Sequence, residues 1–285
     1  MTMNLEKVIK VLIALAILMY VFLPMLWLVK TSFEPGLGTG TFGRGIFSWL
    51  PLHASISNYK ELMTLQSMSF AGVAFGLYIK NSLIVSLLTV AATMMIAIFG
   101  AYGFSRFTFA GKRVTLIMML VTQMISTIGL LIPLYRLLSY FGLLDTYFAL
   151  VLTYTSFSVP FCTWFLKGFF DSIPMDLEDA ARIDGCSRIG ALFWIVLPLA
   201  LPGIIATTVF AFITAWNEFV FANTFIISTE MKTVSVGLAT LFGQRFVNWG
   251  LVAAGGLVGM APVLFIFGFL QKYLIGGLTA GAVKT

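Results

Sequence analysis

The sequence predicts an all-α integral membrane protein with six transmembrane helices and two further short helices in one polar loop. Three observations carry this. Of 285 residues, 60% are hydrophobic and only 10% are charged, too little charge for a surface solvated by water. The mean hydropathy is +1.01. Long apolar runs also recur without the alternation of barrel strands, and a hydrocarbon core of about 30 Å takes about 20 apolar helical residues per crossing.

The runs fall at 8–29, 79–104, 114–134, 147–167, 202–226 and 251–274. No stretch between them is long or polar enough for a second folded domain, so residues 1–285 are expected to form a single transmembrane domain. The first run is too long for the apolar segment of a signal peptide and lacks a small-residue cleavage site after it, so it reads as the first span. Pro24 is tolerable there because neighbouring helices can satisfy the carbonyl it frees. The loop 30–78 contains GLGTGTFGRG, in which Gly38, Gly40 and Gly43 form G-x-G-x-x-G. No strand precedes it and no helix follows, so it reads as a glycine loop, not a dinucleotide site. ISNYKELM, from Ile56 to Met63, predicts a short helix with Ser57 as cap. In the last run Gly255 and Gly259 are spaced for close helix approach, which serves internal packing and subunit contact equally.

Six spans place both termini on one side. With the termini in the cytosol, ten Lys and Arg fall on the inner segments (Lys7, Lys10, Arg106, Lys112, Arg113, Lys167, Arg182, Arg188, Lys272 and Lys284) and seven on the outer ones. Two of the seven, Arg44 and Lys60, lie in a long loop where the positive-inside rule has little force. The net charge of +6 is thereby assigned to membrane topology, and nucleic acid is not expected as a partner. Cys162, Cys186 and His53 are too scattered for a metal site, and none is expected.

The polar loop concentrates charge. Asp171, Asp176, Glu178, Asp179 and Asp184 are five of the eleven acids in the chain. Pro174 suits a helix start. Asp176, Glu178 and Asp179 suit its first turns, where the helix dipole favours negative charge. Gly185 suits the left-handed stop. A helix is therefore expected over 174–184. Leu177, Ala180, Ala181 and Asp184 share a face on which another backbone could approach closely. Ser187 can cap a second helix, with Ile189, Leu192, Phe193 and Val196 as its apolar stripe and Pro198 and Pro202 turning the chain into the fifth span. Interfacial helices usually turn Lys and Arg toward anionic lipid. This one is acidic, which favours a protein partner.

These residues carry a resemblance. EDAARIDG, followed by FWIVLPLALPG, is similar to the EAA loop of ABC importer permeases, roughly E-A-A-x-x-D-G and then L-P-x-x-x-P. Ala180, Ala181, Asp184, Gly185, Leu197, Pro198 and Pro202 match, while Asp179 stands at the glutamate position with Glu178 just before it. AWNEF, from Ala215 to Phe219, and the ending QKYLIGGLTAGAVKT resemble the carbohydrate-importer branch of maltose-transporter type. The resemblance implies a cytosolic coupling loop, 171–200, that docks on an ATPase dimer through Glu178, Asp179, Ala180, Ala181, Asp184 and Gly185. Either Glu178 or Asp179 would do the family glutamate's work. ATP and magnesium would belong to the ATPase subunits, since this chain has no G-x-x-x-x-G-K-[ST] and binds no cofactor of its own. The resemblance further implies a second permease subunit, an extracytoplasmic sugar-binding protein met by Phe242, Gly243 and Gln244, and ATPase contacts from the tail Gly281 to Thr285. The location implied is a bacterial or archaeal cytoplasmic membrane.

In the fifth run, Trp216, Asn217 and Glu218 are candidates for a translocation path. Counted from Gly203, Glu218 lies about 21 Å along the helix. A carboxylate inside the bilayer should face protein or water; alternatively the helix ends early and Glu218 is interfacial. An ion-coupled secondary transporter is the competing function, with Glu218 as its sole acid within a span. No Ser-His-Asp set or carboxylate pair within the spans supports an enzyme.

Overall fold

The computed structural model describes residues 5–34, 54–64, 73–242 and 247–282. Among them the chain is helical: α1 (Leu5–Ser32), α2 (Ser57–Met63), α3 (Phe75–Arg106), α4 (Lys112–Thr122), α5 (Leu131–Tyr140), α6 (Tyr147–Asp171) and α7 (Met175–Ile183). Then follow α8 (Arg188–Ala191), a π-helical turn (Leu192–Val196), α9 (Leu197–Leu199), α10 (Leu201–Asn217) and α11 (Val220–Phe225). A 3₁₀ turn (Thr229–Met231), α12 (Val234–Thr240) and α13 (Trp249–Ala282) complete the order. The chain divides into two compact units, residues 1–77 with 237–261, and residues 78–236 with 262–285.

In the first unit, α2 is pinned to the end of α1. Asn58 donates from Nδ2 to the carbonyls of Ser32 (2.9 Å) and Glu34 (3.0 Å). The Ser32 and Tyr59 hydroxyls meet at 2.7 Å. Ser57 does not cap this helix, as the sequence suggests; it is the first helical residue, and its N–H donates to the Ser55 hydroxyl. Gly250 packs so tightly here that a Cβ would lie 2.5 Å from Asn58 Nδ2 and 2.7 Å from the Glu34 carbonyl. A Cβ at Gly255 would lie 2.9 Å from the Leu238 side chain, which assigns this member of the glycine pair to internal packing. Residues 35–53, with Gly38, Gly40 and Gly43, lie outside the described residues, as do Gly243 and Gln244.

The second unit is built on α3, α6 and α10. Phe161 of α6 lies on Phe210 of α10, ring centroids 4.2 Å apart. The Phe169 ring fills the space a side chain at Gly203 would need. One core cluster gathers Met94, Ala97, Leu166, Phe170, Leu192 and Val196; a second gathers Val85, Leu150, Tyr154, Phe221, Phe225 and Val236.

Four helical segments are long and apolar enough to cross a membrane among the described residues: Ile9–Ser32, Phe75–Arg106, Tyr147–Asp171 and Trp249–Gln271. They coincide with the first, second, fourth and sixth predicted spans. The third, expected as one helix over 114–134, is broken. α4 stops at Thr122, a series of turns covers 123–130, and α5 begins at Leu131. Ser126, Thr127 and Gly129 disfavour helix there, through hydroxyls that compete for the backbone and through glycine entropy. Gln123 donates to the Phe157 carbonyl of α6 at 2.9 Å. The fifth, expected over 202–226, ends at Asn217. Arg188–Leu199 and Leu201–Asn217 form a pair bent by 81°.

Candidate functional site

The polar loop is two helices, as its caps require. Pro174 precedes α7. Gly185 adopts φ +92°. Its N–H donates to the Arg182 carbonyl (3.1 Å), and the Cys186 N–H to that of Ala181 (2.9 Å). This is a Schellman stop, and it needs glycine. The Ser187 hydroxyl caps α8 by accepting from the Gly190 N–H at 3.0 Å. Leu192 and Val196 of the expected stripe are buried, whereas Ile189 and Phe193 are exposed. The π turn spans Leu192–Val196, so the strict helical spacing of that stripe is not kept.

The six loop candidates divide by face. Glu178 is 6% exposed and points into the protein. Its carboxylate pairs with Arg106 Nε and accepts from the Tyr102 hydroxyl at 2.8 Å. Asp179, Ala180, Asp184 and Gly185 are exposed, and Ala181 is half-buried. Successive residues turn by 100° on an α-helix, so the side opposite Glu178 carries Asp176, Asp179, Ala180, Ile183 and Asp184. Ile183 is 86% exposed. Asp179 makes only an exposed contact with Arg182 at 3.3 Å.

Tyr102, Ser105 and Arg106, in the last turn of α3, were not singled out from the sequence. Arg106 Nη2 donates to the Ile173 carbonyl at 3.1 Å. The Ser105 hydroxyl donates to Asp171 Oδ1 at 2.6 Å, and Lys167 pairs with the same carboxylate. The Arg188 carbonyl lies 3.3 Å from the Tyr102 hydroxyl. The signal was present: Tyr, Ser and Arg at i, i+3 and i+4 close an otherwise apolar span.

The other candidate cluster lies at the opposite end of the second unit. α10 ends at Asn217, and Glu218 is extended (φ −67°, ψ 128°). Its carboxylate accepts from the Tyr154 hydroxyl (2.6 Å) and from the N–H groups of Phe221 (2.9 Å) and Ala222 (3.0 Å). Glu218 thus caps α11. Its own carbonyl accepts from the Ser235 hydroxyl at 2.6 Å. Of the three path candidates, Asn217 is exposed and Glu218 half-buried. Trp216 is buried, its ring stacked on Phe212. Nearby, Asn81 donates to the carbonyls of Glu230 (2.7 Å) and Lys232 (2.9 Å) and accepts from Tyr147 (2.8 Å). Asp145, at φ 59°, accepts from the N–H groups of Ile227 and Ser228, both at 2.9 Å, and from the Ser228 hydroxyl. These bonds hold the carboxyl of Asp145 below its ordinary pKa, the Ser228 hydroxyl contributing most.

Phe242 is exposed and meets the Trp249 ring edge-on at 6.2 Å. No group of His, Cys, Asp and Glu able to hold a metal ion occurs among the described residues.

The family model described as "binding-protein-dependent transport system inner membrane component" matches residues 94–279, which include the whole loop. The chain is 34% identical to the trehalose/maltose transport system permease protein of Thermococcus litoralis, over 98% of this chain and 99% of that one. It is also 34% identical to the sulfoquinovosyl glycerol transport system permease protein of Agrobacterium fabrum, over 92% and 88%. In fold it is similar to a chain of a bacterial ABC transporter involved in the import of the acidic polysaccharide alginate. The TM-score there is 0.76 at 21% identity, covering 96% of this chain and 99% of that chain. The family match and the near-full-length relatives identify the chain as a member of the binding-protein-dependent transport system inner membrane components.

Proposed function

We propose that this chain is a permease subunit of an ATP-driven ABC importer for a sugar or oligosaccharide. It forms half of the translocation path and docks on a cytosolic ATPase through residues 171–200. The observation that carries this is the two-sided character of α7. Glu178 is turned inward and bonded, while Asp176, Asp179, Ala180, Ile183 and Asp184 form an outward face left exposed among the described residues. A loop fixed on one side and bare on the other is suited to receive a partner. Asp179, not Glu178, is then the acid that meets the ATPase.

The relatives named for trehalose/maltose and for sulfoquinovosyl glycerol transport support a carbohydrate substrate. A similar solved transporter is described in complex with an alginate pentasaccharide-bound periplasmic protein, which supports a substrate-binding protein as donor. A second permease and an ATPase dimer holding ATP and magnesium complete the assembly. Six crossings place both termini in the cytosol, with α4 and α5 together as the third and α10 with α11 as the fifth. On this reading Asn217 and Glu218 face the path near its outer side, and the segment 242–244 meets the binding protein. A binding-protein-dependent family gives the ion-coupled alternative no support.

The test is binding of the purified ATPase subunit to the permease in nanodiscs. Asp179→Lys and Ala180→Trp should weaken it at equal expression. Wild-type affinity in both variants would leave α7 as a solvated interfacial helix.

A further inference from the structure

We infer that Tyr102 and Arg106 are positioning residues that make α7 and the end of α3 move as one body. The inference rests on the docking reading. α7 is joined covalently to α6 on one side and, through α8, the π turn and α9, to α10 on the other. α3 is remote in sequence, yet its last turn holds the loop at successive points. Ser105 holds Asp171 at the end of α6. Arg106 holds the Ile173 carbonyl just before α7 and the Glu178 carboxylate within it. Tyr102 holds the same carboxylate and reaches the Arg188 carbonyl of α8.

Contacts so distributed along the loop oppose both sliding and rotation of α7 over α3. Their burial makes the hold stiff. The Arg106 and Glu178 side chains are 7% and 8% exposed. Parting them strands a charge out of water, a penalty that exposed pairs escape. A partner that displaces the Asp179–Ala180 face therefore displaces α3 with it, and α3 enters the bundle directly. Without the hold, more of the same load would pass through the chain connections to α6 and α10 and through the apolar packing of Leu192 and Val196 on α3.

The experiment uses the full complex in lipid nanodiscs with native cysteines replaced by alanine. Spin labels are placed at Met95→Cys on α3 and Met175→Cys on α7, both exposed positions. The inter-label distance is read without nucleotide and after trapping with magnesium-ATP and vanadate. One unchanged distance is expected in the wild-type background and in Arg106→Lys, which retains the ion pair. Arg106→Gln should shift or split the distance on trapping. Tyr102→Phe, which removes one hydroxyl and should fold in any case, should broaden it. A wild-type distance that changes on trapping overturns the inference, as does an unchanged distance in both Arg106→Gln and Tyr102→Phe. Co-purified ATPase is measured in every sample. Its absence from the wild-type complex sinks the docking reading instead, which separates the two failures.

Discussion

Glu178 and Glu218 lie at opposite ends of the second unit and are held in opposite ways. Glu178 is buried against a guanidinium and a phenol. Glu218 is half-buried and accepts only from neutral donors: a phenol and two N–H groups at the start of α11. The first arrangement balances charge with charge in a dry place. Attraction there offsets desolvation only while both partners remain, so the contact is specific and intolerant. The second is a helix cap, in which the carboxylate supplies acceptors that other polar groups could also supply. The first contact is therefore suited to holding α3 and α7 together, and the second to closing off a short helix where α10 stops.

Breaking the charged end gives the largest expected effect. Arg106→Gln or Glu178→Leu leaves the other partner buried and unpaired, a loss of about 3–5 kcal/mol. Replacing both by methionine should recover most of it, because two apolar side chains of similar volume remove the desolvation penalty. Denaturant unfolding in detergent micelles reads this directly. A loss under about 1 kcal/mol in the single variants would mean that water reaches the pair, and the contrast with Glu218 would collapse.

The next effect is on binding. Asp179 is 59% exposed at its side chain, so Asp179→Lys should change the stability of the isolated chain by under about 1 kcal/mol. At a desolvated partner contact, a reversed charge costs about 3–5 kcal/mol, or more than about a hundredfold in ATPase affinity. Titration of the ATPase against the variant separates these magnitudes. Equal losses in stability and in binding would place Asp179 on the inward side with Glu178.

Much of this was legible in the residues. Apolar runs without alternation gave the helices, because lipid demands a period and a length that few other environments do. Pro174, Gly185 and Ser187 gave the two-helix loop, since each does a job at a helix end that few residues can do. What failed was continuity. The runs at 114–134 and 202–226 look apolar enough to cross unbroken, yet Ser126, Thr127 and Gly129 are poor helix residues in the first, and in the second the Glu218 carboxylate takes the Phe221 and Ala222 N–H groups. What was missed was pairing across sequence. Glu178 and Asp179 are neighbours with the same chemistry, and the one that turns inward is the one that meets Tyr102 and Arg106, 76 and 72 residues away. Asn81 and Asp145 escaped notice for the same reason: most of their partners are main-chain carbonyls and N–H groups, which sequence does not distinguish, and the two hydroxyls, of Tyr147 and Ser228, are 66 and 83 residues away.

At the neutral end, effects should be smaller. Glu218→Gln keeps an acceptor for one N–H of α11 and loses the charge assistance. A loss of about 1 kcal/mol is expected, the difference between charged and neutral hydrogen bonds. Glu218→Leu removes every acceptor, strands the Phe221 and Ala222 N–H groups and should be worse than Glu218→Gln. Uptake assays on the two variants also test the path reading. Wild-type uptake in Glu218→Leu would leave Glu218 as a cap alone.

The smallest effect belongs to Asp145, and it should appear only in acid. Its carboxyl is held below the ordinary value of about 3.9 by the Ser228 hydroxyl first, then by the N–H groups of Ser228 and Ile227. The unfolded chain therefore takes up this proton before the folded one does. The tie is fully present above about pH 4 and weakens as pH falls through the lowered folded value, so stability in that window rises with pH. Ser228→Ala removes the largest cause and should narrow the window, because the folded carboxyl returns toward its ordinary value. Asp145→Asn cannot ionise, yet asparagine accepts the left-handed backbone at φ 59°. It should flatten the Asp145 contribution without straining the turn. Unfolding midpoints measured between about pH 3 and pH 6 for the three proteins decide the matter. Parallel pH profiles would show that the α5–α6 turn is held without help from the Asp145 charge.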